Sequence, residues 1–400
     1  MKGALLAFLA AAVIAGAGAG GFFAARRWVT PEPVPAAEAD PVEGTPTYAR
    51  RAMVAPAAVG QGPTMTVLGA PKSSRWAEAN ARAIEALGRG ELELAVELFE
   101  SCVEAQPAER VFAHNLAEAL ARLAVRDHAA VRPCAGCIEL LERALELAPE
   151  REDISALLER WRREAEAEKD FWRDSSLHFD LAYDGFQTDL LRGSPEILNE
   201  LELAYTDLTE RFGVRPVDEG RPRISVVFYR REGFQGITGL GDWAGGAFDG
   251  TVRVPVEDLA LERERLRRVL RHELVHAFVR HAGGVGVPGW LNEGLAQWLE
   301  GDAKAEVRAA KRRLADRELF SLEALQGSLT TWKDEAEIGV AYAQSLAFCD
   351  HIARRYGEQV LFAMVEGCKG GEAPSATFQR WTGLELPIAL EDLAEELVGR

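Results

Sequence analysis

Histidine, cysteine and positive charge are all scarce in this 400-residue chain, and each shortage narrows what it can be. Lysine and arginine together number 46 against 63 acidic residues, a net charge of −17. A chain without a basic surplus is not built to grip nucleic acid, so no nucleic-acid partner is expected. Cysteine occurs five times, and the odd total leaves at least one thiol free, or paired between chains, in an oxidising compartment. Cys134 and Cys137 have CxxC spacing. No second CxxC and no nearby histidine pair completes a zinc knuckle, and the βαβ context of a thioredoxin-like site is missing, which leaves a local disulfide. No cysteine lies near the amino terminus to carry a lipid.

Of only seven histidines, two stand four positions apart in His272-Glu273-Leu274-Val275-His276. On a helix this spacing separates them by about 40° in azimuth and one turn in rise, so both imidazoles can reach one metal ion. Glu273 then sits beside the metal rather than on it. A carboxylate there can accept a proton from a metal-activated water, so the pentapeptide reads as metal-assisted hydrolysis. The surrounding stretch is helical from near Glu262, and Val275, Ala277, Phe278 and Val279 make its second half apolar. The histidines therefore belong to a core-lining element.

The helix is expected to stop at Gly283-Gly284, with a loop through Pro288 before a second helical run begins at Trp290. A returning helix brings Glu293 back over the two histidines as the third ligand, leaving one position open for water. His281, five positions after His276, points about 140° away from the metal face and reads as a helix-end residue near the negative pole of the dipole. A third metzincin-type histidine would fall on Ala282, which excludes that pattern. Gln297, one turn after Glu293, is either a hydrogen-bond partner of a ligand histidine or an exposed amide. Glu300 shares its face and is a weaker candidate for the same role.

The HELVH pentapeptide, the segment Trp290-Leu291-Asn292-Glu293-Gly294-Leu295-Ala296-Gln297-Trp298-Leu299-Glu300 and the later Ala341-Tyr342-Ala343-Gln344-Ser345-Leu346-Ala347-Phe348 together resemble the peptidase MA-like, or gluzincin, zinc metallopeptidases. The likeness spans about residues 176–400. It implies a thermolysin-like catalytic domain with His272, His276 and Glu293 as zinc ligands and Glu273 as general base. In related gluzincins a tyrosine downstream of the glutamate ligand donates a hydrogen bond to the oxyanion, and Tyr342 matches it by position. A phenol aimed at developing charge in a water-poor site stabilises the transition state. The other reading of Tyr342 is a core tyrosine on an amphipathic helix.

Upstream, Arg223-Ile224-Ser225-Val226-Val227-Phe228-Tyr229 reads as a strand, and His178-Phe179-Asp180-Leu181-Ala182-Tyr183 as a shorter one. Residues 245–256 look like a hairpin turning at Asp249-Gly250, with Pro255 suited to an edge strand. Residues 244–248 are a candidate substrate-binding strand, because a free edge near the metal can pair with an extended peptide. A purely structural hairpin is the alternative. Residues 195–212 form a packing helix through Leu198, Leu201, Leu208 and Phe212.

The amino-terminal part differs in kind. Residues 4–25 are almost wholly apolar between Lys2 and Arg26-Arg27, long enough to span a bilayer. They read as a signal peptide or a membrane anchor within residues 1–29, giving an extracytoplasmic protein, anchored or secreted. Eight prolines interrupt residues 30–74, an Ala- and Gly-rich stretch read as a disordered linker. Residues 75–172 are helical and repetitive. Ala86, Gly88, Ala95, Phe99 and Pro107 resemble the tetratricopeptide pattern, and Leu141 to Pro149 echoes its second half. The two prolines lie further apart than one repeat, which an insertion at residues 126–136 would explain, and residues 154–169 supply a capping helix.

The expectation is thus α+β. A thermolysin-like zincin domain at 176–400, small mixed sheet plus helices, holds one Zn2+ and cuts peptide or protein substrates. It follows an all-α tetratricopeptide-like module at 75–172 that offers a surface to a protein partner or simply packs. The alternatives are a catalytically silent interaction protein acting through its repeats, and a zinc hydrolase of a non-peptide amide. Retention of both histidines and both glutamates argues against the first.

Overall fold

The protein is described by a computed structural model covering residues 75–130, 134–185, 188–218, 221–238, 246–248, 250–301, 303–315, 317–329, 332 and 334–398. By its contacts the chain divides into two units, Met1–Thr47, which lies outside the described residues, and Tyr48–Arg400.

Five helices come first: α1 (Arg75–Gly88), α2 (Leu92–Ala105), α3 (Arg110–Ala130), α4 (Ala135–Leu147) and α5 (Glu152–Ala167). Each packs on the next, and the apolar residues spaced along them, among them Ala83, Ala86, Ala95, Phe99, Leu120, Leu141 and Trp161, form one buried core. Alanines at the contacts let the helix axes approach closely, and Phe99 and Trp161 fill what remains. Gly90, at φ 78°, makes the left-handed turn between α1 and α2. Asn115 Nδ2 donates to Asn80 Oδ1 at 3.0 Å, so the two fully buried amides satisfy each other between α1 and α3. Cys134 and Cys137 are joined by a disulfide at the start of α4, while Cys102, Cys349 and Cys368 are free and buried.

A five-stranded mixed sheet follows, in the order β1-β2-β3-β5-β4. Its strands are β1 (Phe171–Ser175), β2 (Phe179–Asp184), β3 (Ile224–Tyr229), β4 (Ala247–Phe248) and β5 (Thr251–Pro255). β2, β3 and β5 run parallel, and the two edge strands are antiparallel to their neighbours. The expected strands at 223–229 and 178–183 and the hairpin at 245–256 are all present. Gly250, at φ 109°, supplies the turn conformation that only glycine adopts freely. Pro255 departs from expectation, because β5 lies inside the sheet. Among the described residues β4 pairs only with Val252 and Arg253, so none of them asks for the N–H that Pro255 lacks.

Alternation divides the sheet residues between two cores. Phe179, Leu181, Tyr183, Val226, Phe228, Val252 and Val254 face α6 (Thr188–Phe212) and α8 (Leu259–Gly283). Ala182, Val227 and Tyr229 face the other way, against Phe234 and Ile237 of α7 (Arg231–Thr238). On that second side Arg253 Nη2 donates to Glu164 Oε1 of α5 at 3.0 Å, a pair almost fully buried at both ends. The helical array is therefore docked on the back of the sheet, and α8 lies on its front.

A short 3-10 turn (Gly284–Gly286) leads to α9 (Gly289–Leu299), then α10 (Ala303–Leu314), α11 (Glu335–Tyr356), α12 (Glu358–Lys369), α13 (Pro374–Thr382) and α14 (Leu386–Val398). α11 begins at Asp334, whose side chain accepts from the backbone N–H of Ala336 and Glu337. The molecule is mixed α+β, mostly helical around a small sheet.

The extracytoplasmic expectation does not survive. Among the described residues no helix is long and apolar enough to cross a membrane. The apolar segment at 4–25 lies outside them, as does the linker at 30–74. The anchored or secreted location is not retained.

Candidate metal centre

α8 is a helix of two halves. Arg263, Arg265, Arg267 and Arg268 lie along its first part, whereas Leu266, Leu270, Leu274, Phe278 and Ala282, spaced by four, run as one buried stripe into the core. His272 and His276 lie on the opposite side of the helix from that stripe, with Glu273 at its margin, so burying the stripe turns the histidines toward α9. Gly289 N–H donates to Gln326 O at 2.8 Å and Trp290 N–H to Leu325 O at 3.0 Å, so a backbone loop satisfies the free donors at the start of α9. A Cβ on Gly289 would stand 2.0 Å from Gly327 O, which reserves the position for glycine. This contact sets the height of α9, and with it Glu293, one turn further on.

The two helices converge as the sequence implied. The Nε2 atoms of His272 and His276 each lie 3.7 Å from Glu293 Oε2, and the ligand atoms of the three residues all fall within 4.8 Å of one another. A tetrahedral ion with bonds of about 2.0 Å holds its ligands roughly 3.3 Å apart, so small side-chain movements close the site. The imidazole planes stand at 84° to each other. Their other nitrogens are occupied: His276 Nδ1–H donates to Asn292 Oδ1 at 2.9 Å, and His272 Nδ1–H to Glu300 Oε2 at 2.9 Å. Each bond orients a ring and turns its Nε2 toward Glu293. Two imidazoles and one carboxylate, each set by a partner, are a donor set that fits a catalytic divalent metal.

The electrostatics agree with that reading. Burial alone would lower His272, but Glu293, Glu300 and Glu273 outweigh it and raise its imidazole to about 10. Burial pushes Glu273 up, against the pull of the two histidines. Burial also opposes ionisation of Glu293, yet His276 and His272 hold it below the usual carboxylate range. Three carboxylates around two imidazoles make an excess of negative charge that a dication complements.

Glu273 is buried beside these three residues, and the backbone ahead of β4 runs directly against it. A Cβ on Gly246 would lie 2.6 Å from Glu273 Oε1, so only glycine allows this approach. Of the expected substrate strand, residues 246–248 are described and form the sheet edge nearest α8. Tyr342 comes from α11. Its phenol hydrogen-bonds Glu293, and burial followed by the charges of Glu293 and Glu273 raises it well above the ordinary phenol range.

Gln297 behaves differently from both expectations. Its Nε2 donates to Glu293 O at 3.2 Å and to Tyr342 O at 3.0 Å, tying α9 to α11 rather than touching a histidine, and it is half-buried. A side chain one turn after Glu293 faces α11 here, because Gly294 lets the helices pack closely. The histidine partner is Glu300, the weaker candidate. Asn292 was not singled out; its position just before the third ligand was the available signal. His281 lies in the last turn of α8, 3.0 Å from the Arg221 guanidinium and outside the metal cluster.

Residues 223–395 match the family model of the peptidase MA superfamily. This part of the chain is similar to the domains of that superfamily. No curated protein matches the chain.

Proposed function

We propose that the chain is a zinc metallopeptidase. His272, His276 and Glu293 hold one Zn2+, and the observation carrying the reading is the convergence of their Nε2 and Oε2 atoms beside Glu273. The ion, when bound, supplies Lewis acidity toward water and the scissile carbonyl. Glu273 accepts the proton of the attacking water and returns it to the leaving amine. Its raised affinity for a proton suits both halves of that transfer. The Tyr342 phenol donates to the oxygen on which charge develops. β4 pairs with an extended substrate and lays it past Glu273, where Gly246 leaves room for the backbone.

In this reading residues 176–400 are the thermolysin-like catalytic domain. Residues 75–172 are a tetratricopeptide-like module of two helix pairs, α1–α2 and α3–α4, with α5 as cap and a lengthened α3 accounting for the wide proline spacing. The module offers a surface to a protein partner.

The test is digestion of a peptide library by the zinc-loaded protein beside Glu273→Gln. Cleavage should fall by about 10²–10⁴-fold in the variant while zinc stays bound. Cleavage that survives the substitution unchanged would refute the mechanism. Bound zinc with no turnover of any peptide would favour a silent interaction protein or a hydrolase of another amide.

A further inference from the structure

His272 is oriented by one carboxylate, and that carboxylate is held from its far side as well. Glu300 divides its two oxygens: Oε2 accepts from His272 Nδ1–H at 2.9 Å, and Oε1 accepts from Arg268 Nη2 at 2.7 Å. The same guanidinium lies 2.9 Å from Glu306 Oε1 in the first turn of α10. Arg268 and His272 are one turn apart on α8, so a rigid stretch of helix fixes both ends of the bridge that Glu300 closes from the end of α9.

We propose that Arg268 is a positioning residue of the metal centre, holding Glu300 in the one orientation that presents His272 Nε2 to the ion. The proposal rests on the ligand assignment above. A carboxylate bound at one oxygen turns easily about its last side-chain bond, because that torsion is broad. A charge-assisted bond to the second oxygen removes the freedom. Arginine suits the task, since its fork serves Glu300 and Glu306 together and keeps its charge at every working pH. Its side chain is 41% exposed in the wall of a cavity of about 1120 Å³ between α6, α8 and α10, so dissolved salt reaches the pair and screens it.

Arg267 provides the comparison. It lines the same cavity, pairs with Glu200 at 3.6 Å and Glu264 at 3.8 Å, and lies a further step around the helix from the histidine.

The experiment measures zinc affinity by competition with a fluorescent chelator for the full chain and for Arg268→Gln, Arg268→Lys and Arg267→Gln. Thermal unfolding of each zinc-free protein reports whether it folds. Arg268→Gln should bind zinc about tenfold more weakly, the lower end of what loss of an outer hydrogen-bond partner costs. Arg268→Lys should recover part of the loss, and Arg267→Gln should match the parent. Raising the salt should weaken zinc binding in the parent more than in Arg268→Gln. Unchanged affinity in both Arg268 variants, with zinc bound by the parent, would overturn the positioning role. A parent chain that binds no zinc would overturn the ligand assignment itself, so the two failures are distinguishable.

Discussion

Tyr342 shows how little of a site's geometry lies in one residue. Its phenol reaches Glu293 because Gln297 ties the backbone of Tyr342 to that of Glu293, and neither partner is visible from the local sequence of α11. If the phenol serves the oxyanion, Tyr342→Phe should lower kcat by about 10²-fold with KM and zinc content little changed, measured by peptide turnover and metal analysis. A fall in zinc content equal to the fall in activity would make Tyr342 a support for Glu293 instead. The convergence of His272 and His276 was legible because a helix repeats every turn, so their spacing already fixes a face. Asn292 and Glu300 were harder. Which outer nitrogen each one meets depends on the crossing of α8 and α9, set by the distant loop at Leu325, Gln326 and Gly327.

At the scale of elements, the strands with β-branched runs were readable and β1 was not. Phe171-Trp172-Arg173-Asp174-Ser175 alternates weakly, and as an edge strand it leaves Trp172 exposed, so it carries little of the usual apolar signature. The contact of α9 with α11 was equally hidden. A Cβ on Gly294 would lie 2.5 Å from Cys349 Sγ and 2.5 Å from Ser345 O, and the backbone atom cannot move aside cheaply. Gly294→Ala should therefore destabilise the fold by about 1–3 kcal/mol, read as a lower denaturation midpoint with unchanged slope. α10, α11 and α14 meet at another cluster, where Glu396 bonds Lys311, His351 and Arg354. Burial opposes its ionisation, but those three partners win and hold the carboxyl down to about 2 from 4.5. A depressed carboxyl stabilises the fold fully above about pH 4.5 and gives that up as pH falls toward 2. Glu396→Gln should be less stable than the parent by roughly 1 kcal/mol at pH 6, allowing for solvent screening, and the gap should close by pH 2. A gap independent of pH would contradict the assignment.

For the whole molecule, the helical array and the sheet are joined through charge as well as apolar surface. Arg253 pairs with Glu164 of α5 on the back of the sheet, where its strand neighbour Ala247 of β4 also packs against the core of Val227, Tyr229 and Phe234. Arg253→Met removes one partner of the buried Glu164 carboxylate, which keeps Arg160 at 3.6 Å and His128 at 3.7 Å, and should cost about 1–3 kcal/mol, whereas adding Glu164→Gln should recover part of that in chemical denaturation. Equal losses in single and double variants would show the pair to be incidental. Two compact cores on either side of the sheet make the array a fixed companion of the metal helix. That a run of helices precedes the strands was legible from periodicity, but the surface on which they meet was not, because Arg253 and Glu164 are 89 residues apart. The central claim is that one zinc ion sits between His272, His276 and Glu293. Anomalous diffraction at the zinc edge, on crystals of the zinc-loaded full chain, tests it most directly. A single strong peak about 2.0–2.2 Å from both Nε2 atoms and a Glu293 oxygen is expected; a map without a peak there, or with its only peak elsewhere, would contradict the ligand assignment.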